Sequence, residues 1–225
     1  KPSLLSVILA PFVGIFHYKE NLKFIEEGKL LDIGCGNGKF MLKMRELGWQ
    51  CQGIEFGPVA VEACRKNNLE VFQGELKDAG LSENSFDLVI ARHVVEHLAD
   101  VSSFFAEVSK VVKPDGYFHI RTPNSQALAR NHYGTNWCAN DAPRHLVLFS
   151  PENLTMLAEK HGFEKVEFKT LTSPRLVLDS HDYKVGNKGK ASIKKPFMRL
   201  LVKPYVYISQ LLNCGDELFA VYRKK

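Results

Sequence analysis

Residues 30–40 read LLDIGCGNGKF. Two leucines lead into Asp32, and Gly34, Gly36 and Gly38 fall within the next stretch of turn-forming residues. Lys29 to Ile33 is a short apolar run closed by glycine, which predicts a strand followed by a tight turn. Lys39 to Leu47 has helical spacing and stops at Gly48. The glycines either just allow a sharp turn or leave bare backbone where a ligand must come close.

The rest of the chain weighs on that choice, because strand and helix signals go on alternating. Gln50 to Glu55 reads as a second strand ending in an acid, and Pro58 to Asn67 as a helix with proline in its first turn. Glu70 to Gln73 is a third strand. Ser85 to Ala91, SFDLVIA, is a continuous apolar strand of the kind covered on both faces. Val101 to Val112 reads as a helix closed by the turn signal KPDG, and Tyr117 to Arg121 as a fifth strand ended by Pro123-Asn124. Ser150-Pro151-Glu152 opens another helix, which ends at His161-Gly162. Lys165 to Leu171 and Asp216 to Arg223 read as two last strands. Strands alternating with helices of about ten residues predict an α/β fold, a doubly wound Rossmann-like sheet. Ligands of such sheets sit at the carboxyl ends of the strands, near the switch in strand order. The glycine turn lies there, so the ligand reading gains.

Composition sets the outer bounds. A length of 225 residues suits one domain with embellishments. Hydrophobic content of 45% and charged content of 24% are ordinary for a soluble domain. No apolar run approaches the roughly 20 residues of a transmembrane helix. The start, KPSLLSVILAPF, has a short apolar stretch but no small-residue cleavage site, and residues 3–27 read as a helix packed on the domain. The five cysteines are odd in number and form no C-x-x-C pair. That argues against a disulfide framework or a zinc ribbon and for a reducing cytoplasm. A net charge of +5 does not by itself imply nucleic acid. Residues 1–27 are then an N-terminal helical segment, 28–172 with 216–225 the main domain, and 173–215 an insertion.

A glycine-rich turn after the first strand suits NAD, FAD or S-adenosylmethionine. The dinucleotide fingerprint is G-x-G-x-x-G. Here the spacing is G-x-G-x-G, with Lys39 at the place of the third dinucleotide glycine. Asp32 would repel a pyrophosphate but suits a cationic amino-acid ligand. Glu55, ending the second strand, can accept from a ribose diol in either ligand class. Glu75, just after the third strand, is placed for an adenine edge or for the surface.

LLDIGCGNGKF, GIEFGPVAVEACRK, FDLVIARHVVEHL, KPDGYFHIRTPN and RHLVLFSPENL, in this order, resemble the class I S-adenosylmethionine-dependent methyltransferases. The resemblance covers about residues 28–172 and the final strand. It implies a seven-stranded sheet whose last strand is antiparallel. It implies that Asp32, Gly34, Cys35 and Gly36 line the methionine end of the cofactor. Glu55 and Phe56 would meet the ribose side, Glu75 the adenine, and Arg92 with His93 would cover the ligand. The bound molecule would be S-adenosyl-L-methionine, with S-adenosyl-L-homocysteine as product. Rival readings are an NAD-binding oxidoreductase of the same fold and a module that holds the cofactor without catalysis. No N-P-P-Y-like motif follows the fourth strand, which speaks against nucleic-acid methylation.

Methyl transfer needs positioning and, for a hydroxyl acceptor, a base. His93, His97, His119, His132 and His145 are the candidates. His119 lies inside the fifth strand and reads as packed. In related O-methyltransferases, such as those of the ubiquinone pathway, a histidine stands four residues before a phenylalanine and a Ser/Lys-Pro-Glu helix start. His145 and Phe149 reproduce that spacing, so His145 and His97 are the catalytic candidates. His145 could instead anchor the 125–149 connection. Some relatives bind a divalent metal through Glu-x-x-Glu-His, but His93 replaces the first acid here, and no metal is expected. Asn124, Tyr133 and Trp137 are the candidate acceptor contacts, and Tyr133 and Trp137 could equally form the core of a lid made by residues 125–149. Between Tyr183 and Gly215 there are seven lysines and arginines and no acid. Phe197, Leu200, Leu201, Tyr205, Ile208, Leu211 and Leu212 follow helical spacing, with Pro204 expected to kink or break the helix. A basic stretch with an apolar stripe over 184–213 can rest on an anionic membrane, or pack on the sheet. Such an insertion also resembles methyltransferases of polysaccharide and lipid-linked glycan pathways, so a glycan-like or other small-molecule acceptor is expected.

Overall fold

The computed structural model describes residues 27–186 and 195–225, with backbone alone for 195–201. The expected helix over residues 3–27 lies outside these residues, apart from Glu27. Seven strands form one sheet: β1 (Lys29–Ile33), β2 (Gln50–Glu55), β3 (Glu70–Gln73), β4 (Phe86–Arg92), β5 (Val112–Pro123), β6 (Phe163–Leu171) and β7 (Glu217–Lys224). Their order is β3-β2-β1-β4-β5-β7-β6. Strands β1 to β5 pair in parallel, whereas β7 runs antiparallel to both β5 and β6. The sheet is the one the sequence implies, with a single reversed strand. The chain winds outward from β1 to β3, then crosses back to β4. The carboxyl ends of β1 and β4 therefore flank the switch in strand order, where sheets of this kind form their ligand crevice.

Burial on both faces explains the continuous apolar strands. Leu31, Val89, Phe118, Leu218 and Ala220 pack on one face against Val101, Phe105 and Val108 of α3 (Val101–Val111) and Leu154 and Ala158 of α5 (Pro151–Lys160). Leu30, Leu88 and Ile90 pack on the other against Met44 of α1 (Lys39–Glu46) and Trp49. Phe118 meets Phe105 at 5.5 Å and Phe163 at 5.6 Å between ring centres. Removing one of these rings costs roughly 3–5 kcal/mol. Helix α2 (Pro58–Lys66) takes proline at its first turn, and Ser150 caps α5 by accepting from the Asn153 N–H at 3.2 Å.

Two local signals resolve differently from the reading of the sequence. KPDG does not end a helix at a loop; it lies inside β5. The register with β4 shifts between Phe86 and Leu88, and Asp115 has φ +61°. A side chain on Gly116 would sit 2.8 Å from the Lys113 carbonyl. The turn residues thus mark a bulge in a longer strand. Pro204 does not break its helix either, since α7 (Lys195–Leu211) runs through it. No helix among the described residues is long and apolar enough to cross a membrane.

The connection at 125–149 is ordered into α4 (Leu128–Tyr133) and two single 3-10 turns, Gly134–Asn136 and Cys138–Asn140. Helix α6 (Pro174–Lys184) packs against it and against α7. All five cysteines are free thiols.

His119 is packed, as its place in a central strand suggests, edge-on to Phe219 at 5.9 Å. Burial lowers its pKa to about 4 from an ordinary 6.5. The unfolded chain therefore takes up a proton at a pH where the folded chain does not. The stability this group contributes is present above 6.5 and is lost as pH falls toward 4. Replacing His119 with Phe should reduce the acid-induced loss of stability by on the order of 2–3 kcal/mol in denaturant titrations at paired pH values. Parallel pH profiles for the two proteins would contradict the assignment.

Candidate active site

The glycine turn is built by three different demands. Gly34 has φ +71°, and a side chain there would lie 2.6 Å from a Val94 methyl. Gly38 has φ +76°, and a side chain would lie 2.3 Å from Leu69. Gly36 also has a positive φ, +55°, but a side chain there would meet only open space. Gly38 is buried and serves packing, Gly34 is exposed but leaves room for Val94, and Gly36 has open space where a side chain would be. The turn is fastened to β2 by the Gly34 and Cys35 N–H groups, which donate to the Ile54 carbonyl at 2.8 and 3.1 Å. Glu55 then takes the Gly36 N–H on one carboxylate oxygen and the Gly57 N–H on the other, both at 2.8 Å. Cys35 turns its thiol inward, 4.0 Å from that of Cys64, so only its backbone faces the crevice. The Cys64 thiol donates to the Gly36 carbonyl at 3.2 Å. Phe56, next to Glu55, is 74% exposed. Glu75, at the end of β3, is exposed and paired with Lys77 at 2.8 Å.

Asp32 is wholly buried at the end of β1. Arg92, from the end of β4, reaches across the switch point to its carboxylate at 3.2 Å. The same guanidinium lies 3.9 Å above the Phe40 ring. Arg92 is therefore turned down onto Asp32, where a buried carboxylate needs a counter-charge. It does not extend over the ligand space.

Beyond Arg92 the chain turns sharply, with His93 at φ +55°, into the 3-10 turn Val95–His97. His93 precedes that turn instead of sharing a helical face with Glu96 and His97. It still meets Glu96, its Nδ1 lying 3.2 Å from one carboxylate oxygen, while its Nε2 lies 3.0 Å from Glu217. Thr122 donates to the other Glu96 oxygen at 2.9 Å, and Arg121 donates to Glu217 at 2.5 Å. Burial works against the charge on His93, but hydrogen bonds and charge from Glu217 and Glu96 outweigh it and raise the pKa to about 9. Burial also works against the Glu217 carboxylate, yet His93 and Arg121 hold its pKa below the usual range.

His97 and His145 meet edge-on, ring centres 4.8 Å apart. His97 Nδ1 lies 2.9 Å from the Arg144 carbonyl, and His145 Nδ1 lies 2.8 Å from the Ala139 carbonyl. A carbonyl only accepts, so each Nδ1 carries hydrogen, and the His145 Nε2 lies 3.9 Å from the Asp141 carboxylate. Ligand atoms of Glu96, His97 and His145 lie within 4.8 Å of one another, a spacing a cation could use. Both Glu96 oxygens already have a partner here, one in His93 and the other in the Thr122 hydroxyl.

A family model described as a methyltransferase domain matches residues 16–167. The chain belongs to this methyltransferase family. It is 31% identical over 195 residues to a ubiquinone biosynthesis O-methyltransferase of Pelagibacter ubique, covering 82% of this chain and 80% of the relative. A ubiquinone biosynthesis O-methyltransferase of Brucella anthropi is 28% identical over 151 residues, covering 62% of this chain and 61% of the relative. The chain thus spans less than two thirds of the Brucella relative's length. The crystal structure of a SAM-dependent methyltransferase from Archaeoglobus fulgidus has the same fold, with a TM-score of 0.63 at 20% identity, covering 98% of this chain and 93% of that one.

On the other side of the crevice, two residues of this methyltransferase depart from the roles expected of them. Asn124 is wholly buried, its amide spent on the Gly215 carbonyl at 2.8 Å and the Gln126 N–H at 2.9 Å. It splices β5 to β7 and, being buried, shows no surface to an acceptor. Trp137 is 1% exposed among Ala127, Ala129 and Ala139, and its indole N–H donates to Asp216 at 3.0 Å. It is the core of the lid and offers no stacking face. Tyr133 alone of the three stays half-buried, with the Lys184 ammonium 5.8 Å from its ring centre. The sequence reading missed Asp216, Glu217, Arg121 and Thr122. Its one signal was the pair of acids opening an otherwise apolar strand.

Folded His93 keeps its proton up to about pH 9, whereas an ordinary histidine loses it near 6.5. Its contribution to stability is therefore complete below 6.5 and is lost as pH rises through 9. Asparagine tolerates a positive φ, so H93N should keep the turn and lose the titration. Melting temperatures should fall across this interval in the native protein and stay flatter in H93N; identical slopes would remove the proton from His93.

Proposed function

We propose that the protein transfers a methyl group from S-adenosylmethionine to an oxygen of a small-molecule acceptor. The observation that carries this reading is Glu55 holding two glycine turns at the switch point, beside the open backbone of Gly36 and the buried Asp32. Glu55 is placed to accept from a ribose diol with its remaining lone pairs. The G-x-G-x-G spacing, with Lys39 in place of the third dinucleotide glycine, argues against the dinucleotide rival, and Asp32 suits the ammonium of an amino acid. The exposed ring of Phe56 offers an apolar surface beside the ribose position.

In the transfer, the acceptor oxygen attacks the methyl carbon, the carbon–sulfur bond breaks, and the sulfonium becomes a neutral thioether. The released acceptor proton needs a base, and the Nε2 of His145 or His97 is the group proposed to take it. The protein's larger task is to align acceptor oxygen, methyl and sulfur. The names of the relatives favour an oxygen acceptor of the kind used in ubiquinone biosynthesis over a glycan. Ile208, Leu211 and Leu212, exposed at the end of α7, support a membrane-surface contact through 184–213.

Calorimetric titration with S-adenosylhomocysteine, with NAD as control, tests the cofactor. Micromolar binding of the first alone is expected, and D32A should weaken it by roughly 100-fold, the loss expected when a charged partner is deleted. Near-native affinity in D32A would sink the reading of the glycine motif. H145A should keep cofactor affinity and slow transfer by about 10²–10⁴-fold. Unchanged turnover would leave His145 as an anchor on Ala139.

A further inference from the structure

Two consecutive acids lead into β7, and the transfer described above uses neither. Asp216 is wholly buried and Glu217 is 5% exposed. Successive side chains of a strand point to opposite sides, and these two reach different partners. Glu217 meets His93 and Arg121. Asp216 meets the Trp137 indole. The backbone joins in, since the Asn124 N–H donates to the Asp216 carbonyl at 2.8 Å.

We infer that Asp216 and Glu217 form a two-sided clamp that positions the acceptor half of the site, Glu217 acting through His93 on the 93–97 turn and Asp216 acting through Trp137 on the lid. This rests on the methyl-transfer reading, because the groups it positions are His97 and His145. The path is continuous. Glu217 holds His93, His93 holds Glu96, and the Glu96 carbonyl accepts the Leu146 N–H at 2.7 Å and the Val147 N–H at 3.3 Å. Those amides directly follow His145. From the other side, Asp216 fixes Trp137, the centre of the small core that also includes Ala139. The Ala139 carbonyl in turn fixes the His145 ring. His145 therefore receives its backbone position from Glu217 and its ring orientation from Asp216.

The residue types fit the task. Glu217 stands between two cations, Arg121 and His93, and a neutral side chain there would remove the charge that both of them face. A buried carboxylate adds little to stability compared with a packed apolar residue. Its contribution is direction, because it accepts from two fixed donors at once.

The test uses the full chain with E217Q, which keeps shape while removing the charge, and W137F, which keeps an aromatic ring while removing the indole donor. In both, affinity for S-adenosylhomocysteine should stay within about twofold while kcat falls at least about tenfold, as expected for reacting groups displaced by a fraction of an ångström. Combining E217Q with H93N should add no further loss, because both break one path. Hydrogen exchange supplies a readout independent of catalysis. The Leu146 and Val147 amides should exchange faster in E217Q, and those of β2 should not. Native exchange at Leu146 and Val147, additive losses in the double variant, or equal losses of cofactor affinity and kcat would each overturn the clamp. Native protein that transfers no methyl group would instead sink the methyl-transfer reading, with the exchange result still deciding the clamp.

Discussion

The Glu55 carboxylate, with one glycine N–H on each oxygen, is the contact on which the cofactor half of the structure depends. It ties the turn after β1 to the turn after β2, adding to the bonds that the Gly34 and Cys35 N–H groups make to Ile54. A carboxylate accepting backbone N–H groups is a strong, directional bond. Because its other lone pairs stay available, the residue that shapes the site is also the residue placed to read a ligand. The thiol of Cys64 secures the same turn from below, through the Gly36 carbonyl. Gly36 is thus held at both its donor and its acceptor and can present its backbone without moving.

The acceptor half is built on another plan. Its contacts join residues far apart in the chain: Asp32 with Arg92, His93 with Glu217, Thr122 with Glu96, Trp137 with Asp216. Antiparallel β7 makes this possible. A parallel strand at that position would present its amino end on the opposite edge of the sheet. Reversed, β7 brings its first residues to the crevice beside the carboxyl ends of β4 and β5. The one strand that breaks the parallel pattern is the one that delivers acids to the site.

This division explains what could be read from the sequence. The sheet, the caps and the glycine turn rest on neighbouring residues and on periodicity, and these were legible almost to the residue at β1, β2 and β3. Arg92, Asn124 and Trp137 were placed on the correct loops but given the wrong work, because each is bound by a partner 60 to 91 residues away. A polar or aromatic side chain next to a site reads as a ligand contact until its distant partner is known. The helix stop at KPDG and the break at Pro204 failed in a different way. Turn and breaker residues report local backbone preference, and β5 absorbs the first as a bulge while α7 tolerates the second within one helix. Glu217 gave no signal beyond its own charge, since nothing near it in the sequence shows that a histidine and an arginine converge there.

The charges lining the crevice cancel in a way that suits the proposed chemistry. Asp32 faces Arg92, and Glu96 and Glu217 face His93 and Arg121, so three carboxylates meet three cations. Transfer from a sulfonium to a hydroxyl consumes the positive charge on sulfur and releases a proton. A site with a large fixed negative field would hold the sulfonium too well and resist losing that charge, since only interactions stronger in the transition state accelerate the step. A large positive field would reject the cofactor. Pairing these six charges with one another weakens their field at the reacting centre. The ion pairs of the acceptor half therefore do two things at once. They hold the turn and the lid in register, and they keep the carboxylates that do so from acting on the sulfur.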